Sequence, residues 1–122
     1  MNKSASEDVP TMNEDTPKVI MLSPNEVQER IACGTAYMVD VREPHENAQL
    51  RIAGSHLVPL SNFDSAHIIP DEGKELILYC RVGQRCGKAA EYLLAARYTG
   101  IIQRMTGGIL EWMAADFPVE TG

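Results

Sequence analysis

Cys80, Arg81 and Arg85 stand together in Lys74-Glu-Leu-Ile-Leu-Tyr-Cys80-Arg81-Val82-Gly83-Gln84-Arg85-Cys86-Gly-Lys-Ala-Ala, a stretch whose residue types suit attack by a thiolate on an anionic substrate. Leu76 to Tyr79 read as a buried strand, and Ala89, Ala90, Leu93 and Leu94 recur at helical spacing behind them. Cys80 therefore sits between the end of a strand and the start of a helix. Backbone N–H groups in such a turn converge as a concave nest, and the helix adds orphan donors and the positive end of its dipole. A free cysteine titrates near a pKa of about 8.5, and a helix N-terminus with neighbouring arginines lowers it to between ~3.5 and ~7.5. A shift of about two units favours the thiolate by roughly 2.7 kcal/mol, which a few aimed donors can supply. The bland alternative is a core cysteine, since free Cys is among the most buried residue types. Two arginines and a glycine within six residues waste charge in a core and suit a shallow anion cradle.

The rest of the chain must position that cradle. With 122 residues and no internal linker, the sequence has room for one core, expected over residues 18–122. Residues 1–17 are polar and acidic and are expected to form a disordered tail. Hydrophobic residues make up 44% and charged residues 23%, the range of globular domains, and no apolar run approaches the ~18 to 20 residues that span a bilayer. The first residues lack the apolar core of a secretory signal, so the expected location is cytoplasmic, with no membrane partner. A net charge of −6 argues against nucleic acid, which requires a basic face. The three cysteines, Cys33, Cys80 and Cys86, fit neither a disulfide framework nor a zinc pattern, and His45, His56 and His67 are scattered singly. No metal and no organic cofactor is called for.

Short strands and helices alternate along the chain. Val19 to Leu22 make a first strand; Ser23-Pro24-Asn25-Glu26 follows as a capping box with proline in the first turn of a helix that runs to about Gly34. Tyr37 to Val41 form a second strand carrying Asp40, and Arg42-Glu-Pro-His-Glu opens a loop and short helix. Leu57-Val58 stops at Pro59, Ser61 to Ile69 form a helical or irregular link, and Glu75 to Tyr79 is the strand that delivers Cys80. A helix over Gly87 to Arg97, a strand over Ile101 to Met105, and a helix with Ile109, Leu110, Trp112 and Met113 on one face complete the pattern. Such alternation implies an α/β fold with a mostly parallel sheet covered by helices. Ligands bind outside the carboxyl ends of strands in sheets of this kind, and Cys80 falls there. Asp40, Arg42, Gly107 and Gly108 leave their own strands in the same sense and border the site. For Asp40 and Arg42 an ion pair that pins loops is favoured over direct catalysis, and Gly107-Gly108 is expected to permit close backbone packing near the cradle.

From about Val19 to Glu120 the chain resembles a single-domain rhodanese, a sulfurtransferase. The resemblance rests on ordered features: Asp40-Val-Arg-Glu, Arg51-Ile-Ala-Gly-Ser-His-Leu-Val-Pro, Cys80-Arg-Val-Gly-Gln-Arg, Gly107-Gly-Ile-Leu-Glu-Trp and Phe117-Pro. It implies a three-layer fold with a central, mostly parallel five-stranded sheet flanked by helices. It also implies a ping-pong reaction: the Cys80 thiolate takes the outer sulfur of thiosulfate, sulfite leaves, and the Cys80 persulfide passes its sulfane sulfur to cyanide or a thiol. Arg81 and Arg85 would bind the anionic donor, and the N–H groups of residues 81 to 86 would hold the terminal sulfur, with Val82 and Gln84 contributing backbone and Gly83 turning it inward. For Arg81 the alternative is a solvated side chain, and for Arg85 an ion pair with a nearby carboxylate.

Three rival expectations follow from the same loop. Related dual-specificity phosphatases and arsenate reductases close a longer loop, with five residues between cysteine and arginine, around a tetrahedral oxyanion; here four intervene, and position 86 is cysteine. A 3-mercaptopyruvate enzyme usually has a more neutral loop. A protein-fed persulfide carrier would exchange sulfur with a protein donor or acceptor rather than turn over small molecules. Where the family often has Ser or Thr, Cys86 either replaces a hydroxyl donor, the favoured role, or attacks the Cys80 persulfide as a resolving thiol.

Overall fold

The computed structural model describes residues 19–122; the expected N-terminal tail, and Lys18 of the expected domain, lie outside the described residues. The chain runs β1 (Val19–Leu22), α1 (Pro24–Ala32), β2 (Ala36–Asp40), α2 (Pro44–Gln49), β3 (Leu50–Arg51), β4 (His56–Leu57), β5 (Glu75–Tyr79), α3 (Arg85–Ala95), β6 (Ile102–Met105), α4 (Gly108–Ala114) and β7 (Glu120–Thr121). Two single 3-10 turns, Leu60–Asn62 and Ser65–His67, make up the link before β5. Five strands form one sheet in the order β1-β6-β5-β2-β4, every pairing parallel, while β3 and β7 pair antiparallel at the side. The mostly parallel, helix-covered sheet expected from the alternation of elements is observed, in the three-layer, five-stranded form that the resemblance implies. The β3–β7 pairing joins segments about seventy residues apart and has no local sequence signal.

Strand periodicity divides the core in two. Tyr37 and Val39 of β2, Leu76 and Leu78 of β5, and Cys80 face the layer that holds Ala89, Ala90 and Leu93 of α3. Met38, Ile77 and Tyr79 face the other layer, with Val27 of α1 and Ile109 and Trp112 of α4. Both faces of the central strand β5 are therefore apolar, which is why Leu76 to Tyr79 read as a continuous run rather than an alternating one.

Helix starts are set by local chemistry. The Ser23 hydroxyl accepts from the Glu26 N–H at 3.2 Å, and the Glu26 carboxylate accepts from the Ser23 N–H at 2.8 Å, closing the expected capping box. The helix after Cys80 begins at Arg85 and ends at Ala95, two residues earlier at each end than its apolar spacing suggests, because its first turn is polar and faces the loop. Among the described residues no helix is long and apolar enough to cross a membrane.

Candidate active site

Because β5 lies between β6 and β2, the loop that follows it is bordered by the ends of both neighbours. Register places Asp40 beside Tyr79, and the Val41 N–H donates to the Tyr79 carbonyl at 3.0 Å, so β2 leaves the sheet next to Cys80. On β6, Arg104 is opposite Leu78.

Cys80 is the first residue past β5 and is fully buried. The Gly83 N–H donates to its sulfur at 3.1 Å, and the N–H groups of Arg85 and Cys86, at the start of α3, also bond it. The Cys86 side chain, whose thiol donates to the Gly83 carbonyl at 3.2 Å, is the largest influence on it; together with these donors it outweighs the cost of burial and lowers the Cys80 pKa to about 5. At neutral pH the group is a thiolate. Gly83 makes the geometry possible: its φ of 99° is closed to most side chains, and a Cβ there would lie 3.2 Å from the Gly107 nitrogen.

The second glycine pair supports the loop from the other face. The Ile109 N–H donates to the Cys80 carbonyl at 2.8 Å and the Leu110 N–H to the Arg81 carbonyl at 3.2 Å. Gly108 has φ 63°, and a Cβ would fall 2.3 Å from the Arg81 carbonyl oxygen, so only glycine lets α4 approach so closely. Gly107 and Gly108 are thus packing residues of the cradle.

Asp40 and Arg42 form a buried, bidentate ion pair, with Arg42 Nε to Asp40 Oδ1 at 2.9 Å and Nη2 to Oδ2 at 2.8 Å. Asn47 Nδ2 donates to Asp40 Oδ2 at 3.0 Å, and Arg42 Nη2 also donates to the Leu50 carbonyl, so this pair ties β2, α2 and β3 together at the edge of the site. Arg85 is also paired: its guanidinium forks onto Glu46 of α2 at 2.7 and 3.0 Å. The Arg85 hydrogen bonds hold the Glu46 carboxyl at about 2, against the cost of its burial. Arg81 is exposed and, with Arg42, Glu46, Gln49, Leu50, Ile109 and Leu110, lines a cavity of about 180 Å³ beside the loop. Val82 and Gln84 are exposed and contribute backbone to the turn. A larger cavity, about 540 Å³, lies at the opposite ends of β5 and β6 around Gly73 and Gly100 and is lined by no cysteine.

Two residues of the site escape a reading by motif. Glu46 is separated from Arg85 by nearly forty positions, and nothing local links them. Arg104 donates through Nη2 to the Gly83 carbonyl at 2.9 Å, from below the loop. Strand alternation contains a signal for it: Ile102 and Arg104 must face the same side as Leu78 and Cys80, which places a guanidinium under the cradle. Among the described residues no group of three His, Cys, Asp or Glu side chains is placed to hold a metal ion.

Fold and site define a class: an open parallel α/β domain whose central strand ends in an activated cysteine held by backbone amides. The family is equally definite, since residues 23–115 match the model of the rhodanese-like domain, and the chain belongs to that family. An uncharacterized protein of Synechocystis sp. is 33% identical over 107 residues, covering 88% of this chain and 59% of that protein. A sulfurtransferase of Allochromatium vinosum is 31% identical over 88 residues, covering 67% of this chain and 76% of its own length. Among solved structures, a rhodanese-related protein of Thermoplasma volcanium superposes with a TM-score of 0.70 at 27% identity, covering 83% of this chain and 97% of that one. The chain thus spans little more than half the length of the Synechocystis relative.

Proposed function

We propose that the chain is a thiosulfate sulfurtransferase that carries sulfane sulfur as a Cys80 persulfide. The observation that supports this best is a cysteine at the carboxyl end of the central strand, held as a thiolate with a pKa of about 5 by the Cys86 side chain and by N–H donors from Cys86, Gly83 and Arg85. Attack on the outer sulfur of thiosulfate forms the S–S bond at Cys80, and sulfite departs with the electron pair of the broken bond. The negative charge moves outward to the terminal sulfur, where the remaining loop amides oppose it. Cyanide or a thiol then takes that sulfur and regenerates the thiolate. In this reading Arg81, which lines the cavity beside the loop, attracts the dianionic donor, and the Asp40–Arg42 pair positions the walls rather than touching sulfur.

One observation favours a second reading, a carrier fed by a protein persulfide. Arg85 is engaged by Glu46, which leaves a small anion one exposed arginine in the loop. The two readings part on a simple assay. With thiosulfate and cyanide, the native chain is expected to form thiocyanate with saturation, and Cys80→Ser to lose at least about a thousandfold in rate. No thiocyanate from the native chain, combined with sulfur loading from a protein persulfide, would replace the enzyme by the carrier.

A further inference from the structure

Beneath the loop lie a second buried thiol, so far given only a part in holding the Cys80 thiolate, and a cation that sulfur transfer as described does not use. Cys86 is fully buried; its thiol donates to the Gly83 carbonyl oxygen at 3.2 Å, and its side chain is the largest influence on the Cys80 thiol. A hydroxyl could supply the same hydrogen bonds, so they do not by themselves call for sulfur. Arg104 supplies the reason. Its guanidinium already serves Gly83 through Nη2, yet its Nε is buried with no hydrogen-bond partner, and among the described residues no carboxylate pairs with it. A guanidinium so placed ordinarily finds an anion.

The fold has also made room for this cation. Gly87 stands in the first turn of α3, in a helix whose propensity favours alanine over glycine. A Cβ there would lie 2.9 Å from Arg104 Nη2, so the glycine is what admits the guanidinium. Arg104 Nη2 and the Cys86 thiol share the Gly83 carbonyl oxygen, at 2.9 and 3.2 Å; the Cys80 side chain and burial push the Cys86 pKa far up, and the neighbouring guanidinium opposes them. A passive hydroxyl substitute needs no adjacent cation; a thiol that must ionise does.

We propose that Cys86 is a resolving nucleophile, supported by Arg104, which converts the Cys80 persulfide into a Cys80–Cys86 disulfide and expels the sulfane sulfur as sulfide. The inference rests on the persulfide reading of Cys80. Loading moves the negative charge from Cys80 Sγ to the terminal sulfur, so the Cys86 proton can pass to that sulfur. The Cys86 thiolate then attacks Cys80 Sγ. A bond forms between the two cysteine sulfurs, the bond to the outer sulfur breaks, and that sulfur leaves as hydrosulfide with the electron pair. Sulfane sulfur is reduced and the cysteine pair oxidised, with no outside oxidant. Two equivalents of a low-molecular-weight thiol restore the dithiol by exchange. The site would thereby reduce thiosulfate to sulfite and sulfide at the expense of thiols.

The test follows the fate of a sulfur already placed on Cys80. The native chain, Cys86→Ser and Arg104→Gln are loaded with thiosulfate and, separately, with inorganic polysulfide, freed of donor, and sampled by intact-protein mass spectrometry with sulfide assay. In the native chain the added sulfur is expected to give way to a species lighter than the free protein by two hydrogens, joined Cys80 to Cys86 in peptide maps, with one sulfide released. In Cys86→Ser the loaded sulfur should persist at least about tenfold longer, and in Arg104→Gln loss should slow by a similar factor. Decay of the loaded species at the native rate in Cys86→Ser, or native decay without the disulfide, overturns the resolving role. Failure of thiosulfate alone to load Cys80 counts against the donor assignment instead, because polysulfide still charges a reactive thiolate and the resolving step is read from that sample.

Discussion

Helices α1 and α3 both follow a strand of the same sheet, and they begin in opposite ways. At α1 the Ser23 hydroxyl and Glu26 carboxylate satisfy the first N–H groups locally. At α3 the preceding residue is Gln84, in helical conformation and without a side-chain cap, and the free N–H groups of the turn converge on the Cys80 sulfur. The same orphan donors are silenced by side chains in one helix and spent on a thiolate in the other. A third start, that of α4, gives its N–H groups to the carbonyls of Cys80 and Arg81, so it braces the loop. A helix N-terminus becomes a site where its sequence withholds a cap and its neighbours deliver an anion.

The sharpest way to break this comparison is a titration of Cys80. Its pKa of about 5 is depressed, so the nucleophile is present above that pH and is lost as pH falls through it. The iodoacetamide rate at Cys80, followed by peptide mapping, should be flat above about pH 6 and fall about tenfold per unit below pH 5. A midpoint near 8.5 would mean that the amides of α3 do not hold a thiolate.

The bracing helix comes next. Gly108→Ala drives a Cβ against the Arg81 carbonyl at 2.3 Å with φ 63°, and is expected to cost about 3 kcal/mol in urea unfolding. Gly34→Ala, with φ 76° and open space around it, should cost about 1 kcal/mol. Equal losses would show that backbone conformation alone, and not close approach to the loop, matters at Gly108.

Removing the local cap tests the other member of the comparison. Ser23→Ala should lower stability by about 1 kcal/mol and leave thiocyanate formation unchanged, since Ser23 serves only its own helix. A loss of turnover at full occupancy of the fold would tie α1 to the site. The smallest effect is expected at the rim. Glu46→Gln releases Arg85 from a partly exposed ion pair, and the KM for thiosulfate should fall about threefold. An unchanged KM would make Arg85 a structural residue and strengthen the carrier reading.

Much of this was legible along the chain because its causes are local. The Ser23–Glu26 box lies within four residues, the β5 run within five, and the Cys80 turn draws its donors from the six residues that follow. Asp40 and Arg42 also pair across one intervening residue, so their spacing alone suggested a pinned loop. Boundaries were less secure where a first turn is polar, as at Arg85.

The residues that were not legible act at a distance. Glu46 meets Arg85, and Arg104 meets Gly83, only because the parallel order β6-β5-β2 brings three strand ends to one place. The sequence by itself determined a cysteine at the end of a buried strand, with amides to hold it. Tertiary structure decided which cations remain free to act on it. Charges interact through space with whatever is packed beside them, and neither the carboxylate that Arg85 meets nor the loop carbonyl that Arg104 meets stands beside it in the chain.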